Sequence, residues 1–151
     1  MDSTGVAPLI FYSYAHEDEK HLKALRNSFS LLKREGKIAD WHDRAILPGD
    51  TWQQAIERRL ESARIILFLV SPDFIASDYC WGTEVRRALE RCEHREAIVI
   101  PIIVRPTDWH SAPFGGLQAL PTDGRPVTTW ANRDEAWADV TAGIRAVIDH
   151  L

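Results

Sequence analysis

The chain has little cysteine, no long apolar run and no excess of positive charge. Its 151 residues include two cysteines, Cys80 and Cys92, which are too few for a disulfide scaffold and too far apart for a Cys-x-x-Cys site. The longest apolar runs have the length of a strand and are far too short to cross a bilayer. The formal net charge of -4 argues against binding to nucleic acid by broad neutralisation of phosphates.

The N-terminus also lacks a targeting segment. MDSTGVAP has neither a basic stretch nor an apolar core, so no signal peptide is predicted. With the cysteine usage, this predicts a cytoplasmic protein that contacts neither membrane nor nucleic acid directly. We expect residues 1–8 to be flexible and residues 1–151 to form a single domain.

Several nucleotide-binding and catalytic motifs are absent. The chain has no Gly-x-Gly-x-x-Gly after its first predicted strand and no Gly-x-x-x-x-Gly-Lys-Ser/Thr, which argues against a Rossmann dinucleotide site and a P-loop. No Gly-x-Ser-x-Gly elbow is present. The six histidines are scattered without metal-ligand spacing, so no metal site is predicted.

Short apolar runs alternate with amphipathic segments along the chain. The runs predict strands at residues 9–14, 37–43, 64–71 and 97–105, with a short fifth at 126–130. The helical periodicity predicts helices at residues 15–36, 50–63, 77–92 and 132–151. Pro101 removes a ladder donor and favours an edge position or an irregularity. The alternation predicts an α/β fold, a flavodoxin-like three-layer sandwich with a parallel sheet of about five strands and helices on both faces.

Four loops are expected to meet at one edge of this sheet. They follow Tyr14, Asp43, Val70 and Arg105 at the carboxyl ends of four predicted strands, where open α/β sheets bind ligands. The third loop leads into a predicted helix that carries Glu84 near its start.

Three stretches, taken in order, resemble the Toll/interleukin-1 receptor (TIR) domain family in its bacterial form. IFYSYAHEDEK resembles the first box of the family, WHDRAILPGDTW the second, and VSPDFIASDYCWGTE the third-strand exit with its Trp/Cys/Glu signature. IPIIVRPTDW also looks like the bacterial members. The resemblance runs from about Leu9 to the C-terminus and implies the flavodoxin-like fold predicted above.

The resemblance implies two alternative functions. Some members are adaptors or scaffolds that act through TIR–TIR contacts. Others cleave NAD+, which is a substrate and not a cofactor, to nicotinamide and ADP-ribose or a cyclic isomer. The glutamate of the third-helix motif is essential in those enzymes, and Glu84 matches it. We expect an NAD+ nucleosidase of bacterial anti-phage defence or cell death, activated by self-assembly and controlled by a sensor domain or partner protein. A nucleoside deoxyribosyltransferase-like enzyme is a third alternative.

One carboxylate is enough for this chemistry. Nicotinamide leaves as a neutral group, and the ribose develops an oxocarbenium-like positive charge that a carboxylate can stabilise. Glu84 would supply that carboxylate. The alternative is a solvated glutamate at the helix start, favoured by the helix dipole and paired with Arg87.

Substrate contacts are predicted from Ser13, Tyr14, His16, Asp43 and Trp81. Each has a structural alternative: strand-end packing for the first two, an exposed turn histidine, a turn-capping aspartate, and a tryptophan packed on the apolar face of its helix. Many family enzymes have a tryptophan four residues before the glutamate. Cys80 stands at that position here, and Tyr79 is the next aromatic upstream.

The loop after the second predicted strand has an apolar tip between charged ends. Its candidate assembly residues are Arg44, Ile46, Leu47, Pro48 and Gly49. An exposed apolar tip suggests a partner surface, and the alternative is a loop folded back on its own domain. The resemblance implies that this loop completes the active site across two subunits.

Overall fold

Four parallel strands form one sheet in the part of the chain that the structure, a computed structural model, describes: residues 7–40 and 48–151. The strands are β1 (Leu9–Ser13), β2 (Ala39–Asp40), β3 (Ile65–Val70) and β4 (Ile98–Ile103). Their order is β2-β1-β3-β4. The short β2 covers only part of the predicted second strand, whose residues 41–43 lie outside the described ranges.

Helices connect the strands as the periodicity predicts. The α-helices are α1 (Glu19–Ser28), α2 (Ser30–Arg34), α3 (Trp52–Ser62), α4 (Pro72–Ala76), α5 (Arg86–Glu93) and α6 (Arg133–Asp149). A π-helical turn, Cys80–Val85, leads into α5. Within the described residues, three short 3-10 turns occupy His16–Asp18, Thr122–Gly124 and Val127–Thr129. The predicted helix 15–36 is therefore divided into a 3-10 turn and two α-helices.

Side chains of β3 alternate between two hydrophobic cores, one on each face of the sheet. Leu67 and Leu69 pack on the side of α1 and α6, whereas Phe68 and Val70 pack on the side of α3 and α5. All six residues of β3 are buried, as expected for a central strand that is covered on both faces. The predicted flavodoxin-like sandwich is confirmed.

The predicted fifth strand at residues 126–130 is wrong. This segment forms the 3-10 turn Val127–Thr129, and Val127 is fully buried in the core beside α6. Pro126 has no N–H to give to a strand ladder, and the burial of Val127 in the core outweighs the strand preference of its β-branched neighbours. Pro101 lies in β4, which is one of the two edge strands of the described sheet, as its missing donor predicts.

Among the helices described, none is both long enough and apolar enough to cross a membrane.

Candidate active site

A cavity of about 430 Å³ opens beside the carboxyl end of β1. The described part of its lining comes from three places: β1 with the turn that follows it, the start of α3, and the segment that enters the π-helical turn. The lining residues are Phe11, Tyr12, Tyr14, Ala15, His16, Glu17, Trp52, Ile56, Ser77, Tyr79, Cys80 and Glu84. The cavity lies at the sheet edge where the sequence places its candidate residues.

Glu84 is a buried carboxylic acid at this cavity, with 6% of its surface exposed. The Ser13 hydroxyl donates a hydrogen bond to Glu84 Oε1 at 2.5 Å. Burial raises the pKa of Glu84 from 4.5 to about 7, and the Ser13 hydrogen bond opposes this by favouring the charged form. The carboxyl group therefore titrates near neutral pH rather than in the acidic range usual for glutamate.

The alternative of a solvated Glu84 paired with Arg87 does not describe its surroundings. Arg87 instead makes a two-pronged contact with Glu61 of α3, with donor–acceptor distances of 2.5 and 2.7 Å. Glu84 points away from that surface, toward the end of β1.

The π-helical turn decides which aromatic side chain accompanies Glu84. The Ser77 hydroxyl accepts a hydrogen bond from the Cys80 amide at 3.2 Å and starts the turn, as its cap-like sequence predicts. Hydrogen bonds in a π-helix join residues five apart, so Tyr79 lies one turn before Glu84 and both line the cavity. The turn holds one residue more than an α-helical turn would.

Trp81 is turned the other way. Its ring packs edge-on against Phe74 and Phe114, with centroid distances of 6.5 and 5.9 Å. It is not among the residues that line the cavity. The structure therefore places Trp81 in its predicted packing alternative and does not bring it together with the other candidate residues.

The first strand contributes its end and the following turn. Ser13 is the last residue of β1 and is fully buried behind Glu84, whereas Tyr14 and His16 line the cavity. The Tyr14 carbonyl oxygen lies 3.5 Å from Cys80 Sγ, which joins this wall to the π-helical turn. Three of the five predicted substrate contacts are thus gathered around Glu84.

Two exposed aromatic residues at the cavity were not selected from the sequence. Trp52, 54% exposed, and Tyr79, 44% exposed, stand on different walls. Trp52 fits the apolar stripe of α3, so periodicity assigns it to the core. It is the first residue of the helix, directly after a capping box formed by Thr51 and Gln54, and this end of the stripe reaches the sheet edge. The sequence feature that could have identified Trp52 is its position at the start of a helix, on the side of the sheet where ligands bind.

The assembly loop is only partly described. Asp43, Arg44, Ile46 and Leu47 lie outside the described residues. Pro48 and Gly49 form an exposed turn, and Gly49 has a φ of +91°, a conformation that favours glycine.

Metal ligands are not gathered at this cavity or elsewhere in residues 7–40 and 48–151. No group of three His, Cys, Asp or Glu side chains in these ranges is arranged to hold a metal ion.

Comparison with known proteins supplies the family. The model of the TIR domain family matches residues 10–140, and the chain belongs to the TIR domain family. It is 51% identical over 138 residues to a Sinorhizobium fredii protein named "Uncharacterized protein y4lF". The match covers 91% of this chain and 43% of that relative, so the chain spans less than half of the relative's length.

A solved structure has the same fold. The chain resembles the crystal structure of the TIR domain of the Toll-related receptor TRR-2 from Hydra magnipapillata, with a TM-score of 0.61 and 21% identity. The likeness covers 90% of this chain and 97% of that one. TIR domains include NAD-cleaving enzymes and adaptors, and they generally associate through TIR–TIR contacts.

Proposed function

We propose that this TIR domain is an NAD+ glycohydrolase in which Glu84 is the catalytic carboxylate. The observation that carries the proposal is the buried Glu84 carboxyl group, which meets a 430 Å³ cavity and is held from behind by Ser13. Burying a carboxylate without a cationic partner is costly for a structure. Perturbed carboxyl groups in cavities are typical of catalytic sites.

The deprotonated Glu84 would act on the ribose of NAD+. As the bond between nicotinamide and ribose breaks, its electron pair leaves with the nicotinamide, and positive charge develops on the ribose. A nearby carboxylate stabilises this charge strongly because the site is poorly solvated. Water then adds to the anomeric carbon and loses a proton to solvent, which gives ADP-ribose. Attack by the substrate's own adenine would give a cyclic isomer instead.

Two aromatic side chains can hold a planar ring at this cavity. Tyr79 and Trp52 present exposed rings on different walls, and such rings stack on flat ligands. We assign the ring contact to these residues and a packing role to Trp81. We expect His16 and Tyr14, which line the cavity, to make polar contacts with the nucleoside.

The second candidate is a non-enzymatic adaptor that works through TIR–TIR contacts. One observation favours it: among the lining residues that the structure describes there is no lysine or arginine to bind the diphosphate of NAD+. For the enzyme, the cations would have to come from outside this lining. Arg44 in the assembly loop, or a second copy of the domain, could supply them.

The proposed enzyme works in the cytoplasm, in bacterial anti-phage defence or cell death, and is activated by self-assembly. A sensor domain or a partner protein would supply the activating signal, and Asp43 with the loop Arg44–Gly49 would contact the substrate or the neighbouring subunit.

The decisive experiment is nicotinamide release from NAD+ by purified protein under crowding conditions that favour assembly. We expect the wild type to release nicotinamide and Glu84→Gln to release none. Glu93→Gln is the matched control, because Glu93 is an exposed glutamate of α5. Equal turnover by Glu84→Gln and wild type would contradict the assignment. Turnover of deoxynucleosides but not NAD+ would favour the deoxyribosyltransferase-like alternative.

A further inference from the structure

A network of four polar side chains joins three loops behind the cavity. Arg105, at the exit of β4, donates from Nε to Asp18 Oδ1 at 2.9 Å and from a terminal nitrogen to Asp73. The Ser71 hydroxyl donates to the second oxygen of Asp18. The loops that follow β1, β3 and β4 are thereby tied together.

Asp18 is the centre of this network and is fully buried. A buried carboxylate is costly unless it is paired and hydrogen-bonded, and removing one partner of a buried ion pair is strongly unfavourable. The position of Asp18 is therefore fixed by its two partners. Arg105, whose side chain is 30% exposed, can reach Asp18 and Asp73 at once because the guanidinium group is a flat, forked donor.

The network is connected to each of two walls of the cavity. Asp18 ends the turn His16–Asp18, and its amide donates to the Ala15 carbonyl at 2.8 Å. His16 and Glu17 of that turn line the cavity. On the other side, the Ser71 hydroxyl accepts from the Phe74 amide at 3.0 Å and caps α4, which leads to the π-helical turn of Glu84.

We propose that Arg105 and Asp18 are positioning residues that hold the wall 14–17 at the distance from Glu84 that a bound nucleoside requires. Neither residue lines the cavity, so both act through the turn that carries His16 and Glu17. The kinetic part of this inference rests on the proposed NAD+ glycohydrolase function.

Arg105→Lys tests the proposal, because lysine keeps the charge but lacks the flat, forked guanidinium group that reaches Asp18 and Asp73 in one fixed geometry. Losing one charged hydrogen bond corresponds to roughly a tenfold change in an equilibrium constant. We expect the KM for NAD+ to rise about tenfold, with kcat close to that of the wild type. A merely structural role would lower kcat with the folded fraction and leave KM unchanged, and that result would overturn the proposal.

The matched control is Arg145→Lys. Arg145 of α6 pairs with Glu35 at the same distance, 2.9 Å, and its side chain is 32% exposed, but the pair lies away from the cavity. Its KM should equal that of the wild type. A KM raised equally in both variants would also overturn the proposal.

A second measurement does not need turnover. Backbone amide exchange at residues 15–18 should be faster in Arg105→Lys and in Asp73→Asn, which removes the negative charge from one arm of the network, but unchanged in Arg145→Lys. Equal protection in all four proteins would refute the positioning role. If the wild type neither binds nor cleaves NAD+, the proposed function fails, and amide exchange alone decides whether Arg105 holds this wall.

Discussion

The buried carboxyl group of Glu84 should make the wild-type protein less stable as the pH rises. Burial raises its pKa in the folded state from 4.5 to about 7. The folded protein then binds this proton more tightly than the unfolded chain does. The contribution of Glu84 to stability is fully present below pH 4.5 and is lost as the pH rises through about 7.

Glu84→Gln removes this dependence, since glutamine is neutral at every pH and its oxygen can still accept from Ser13. A shift of one pKa unit corresponds to about 1.4 kcal/mol. At pH 8 the variant should therefore be more stable than the wild type by about 3 kcal/mol. At pH 5 most of this difference should vanish. For a protein of this size, the gain at pH 8 corresponds to a rise in Tm of roughly 6–12 °C.

Thermal and urea unfolding of both proteins at pH 5 and pH 8 would measure the effect. Glu93→Gln on the exposed side of α5 should show no comparable change between the two pH values. A stability difference between Glu84→Gln and wild type that is the same at pH 5 and pH 8 would refute the reasoning. This test is independent of any enzymatic activity.

Three further outcomes are expected of the proposed enzyme. Turnover should rise with pH through about 7 as Glu84 loses its proton, and Ser13→Ala should move the midpoint to higher pH because Ser13 favours the charged form; a midpoint at or below the wild-type value would contradict this. Tyr79→Ala should raise KM with little change in Tm, whereas Trp81→Ala should lower Tm because its ring packs on two phenylalanines; the reverse pattern would restore Trp81 as the ring contact. Leu47→Asp, outside the described residues, should abolish a steeper-than-linear dependence of activity on protein concentration, measured by dilution, and mixing with Glu84→Gln should partly restore activity.

The sheet was predictable because its strands have distinctive compositions. The run Ile65–Val70 is apolar at every position, which is the pattern of a central parallel strand, and its place fixes the edge where the cavity lies. The segment 126–130 was not predictable in the same way. Its β-branched residues favour a strand locally, but the burial of Val127 against α6 is a tertiary contact that composition does not reveal.

The sequence allowed two positions for the Glu84 side chain, in a cleft or on the surface. On an ideal α-helix it falls at the border of the apolar stripe, which fits a cleft as well as the surface. Ser13 decides between them, since it ends a strand 71 residues earlier and its hydroxyl meets the carboxyl group. A residue pattern within one helix or strand cannot reveal this contact between two distant parts of the sequence. The family resemblance indicated Glu84, but the pairing with Ser13 requires the register of β1 beside β3.

The π-helical turn explains why the aromatic residues were harder to assign than the glutamate. On an α-helix, successive residues turn by about 100°, so Tyr79 would lie about 140° away from Glu84 and would face another surface. The wider turn Cys80–Val85 brings residues five apart into line, and Tyr79 and Glu84 then share the cavity. The same turn directs the half-buried Trp81 against Phe74 and Phe114 at the edge of the core. The extra residue in the turn thus separates the positions of the two aromatic side chains. Tyr79 lines the cavity, whereas Trp81 packs against the domain and anchors the helix that carries the Glu84 carboxyl group.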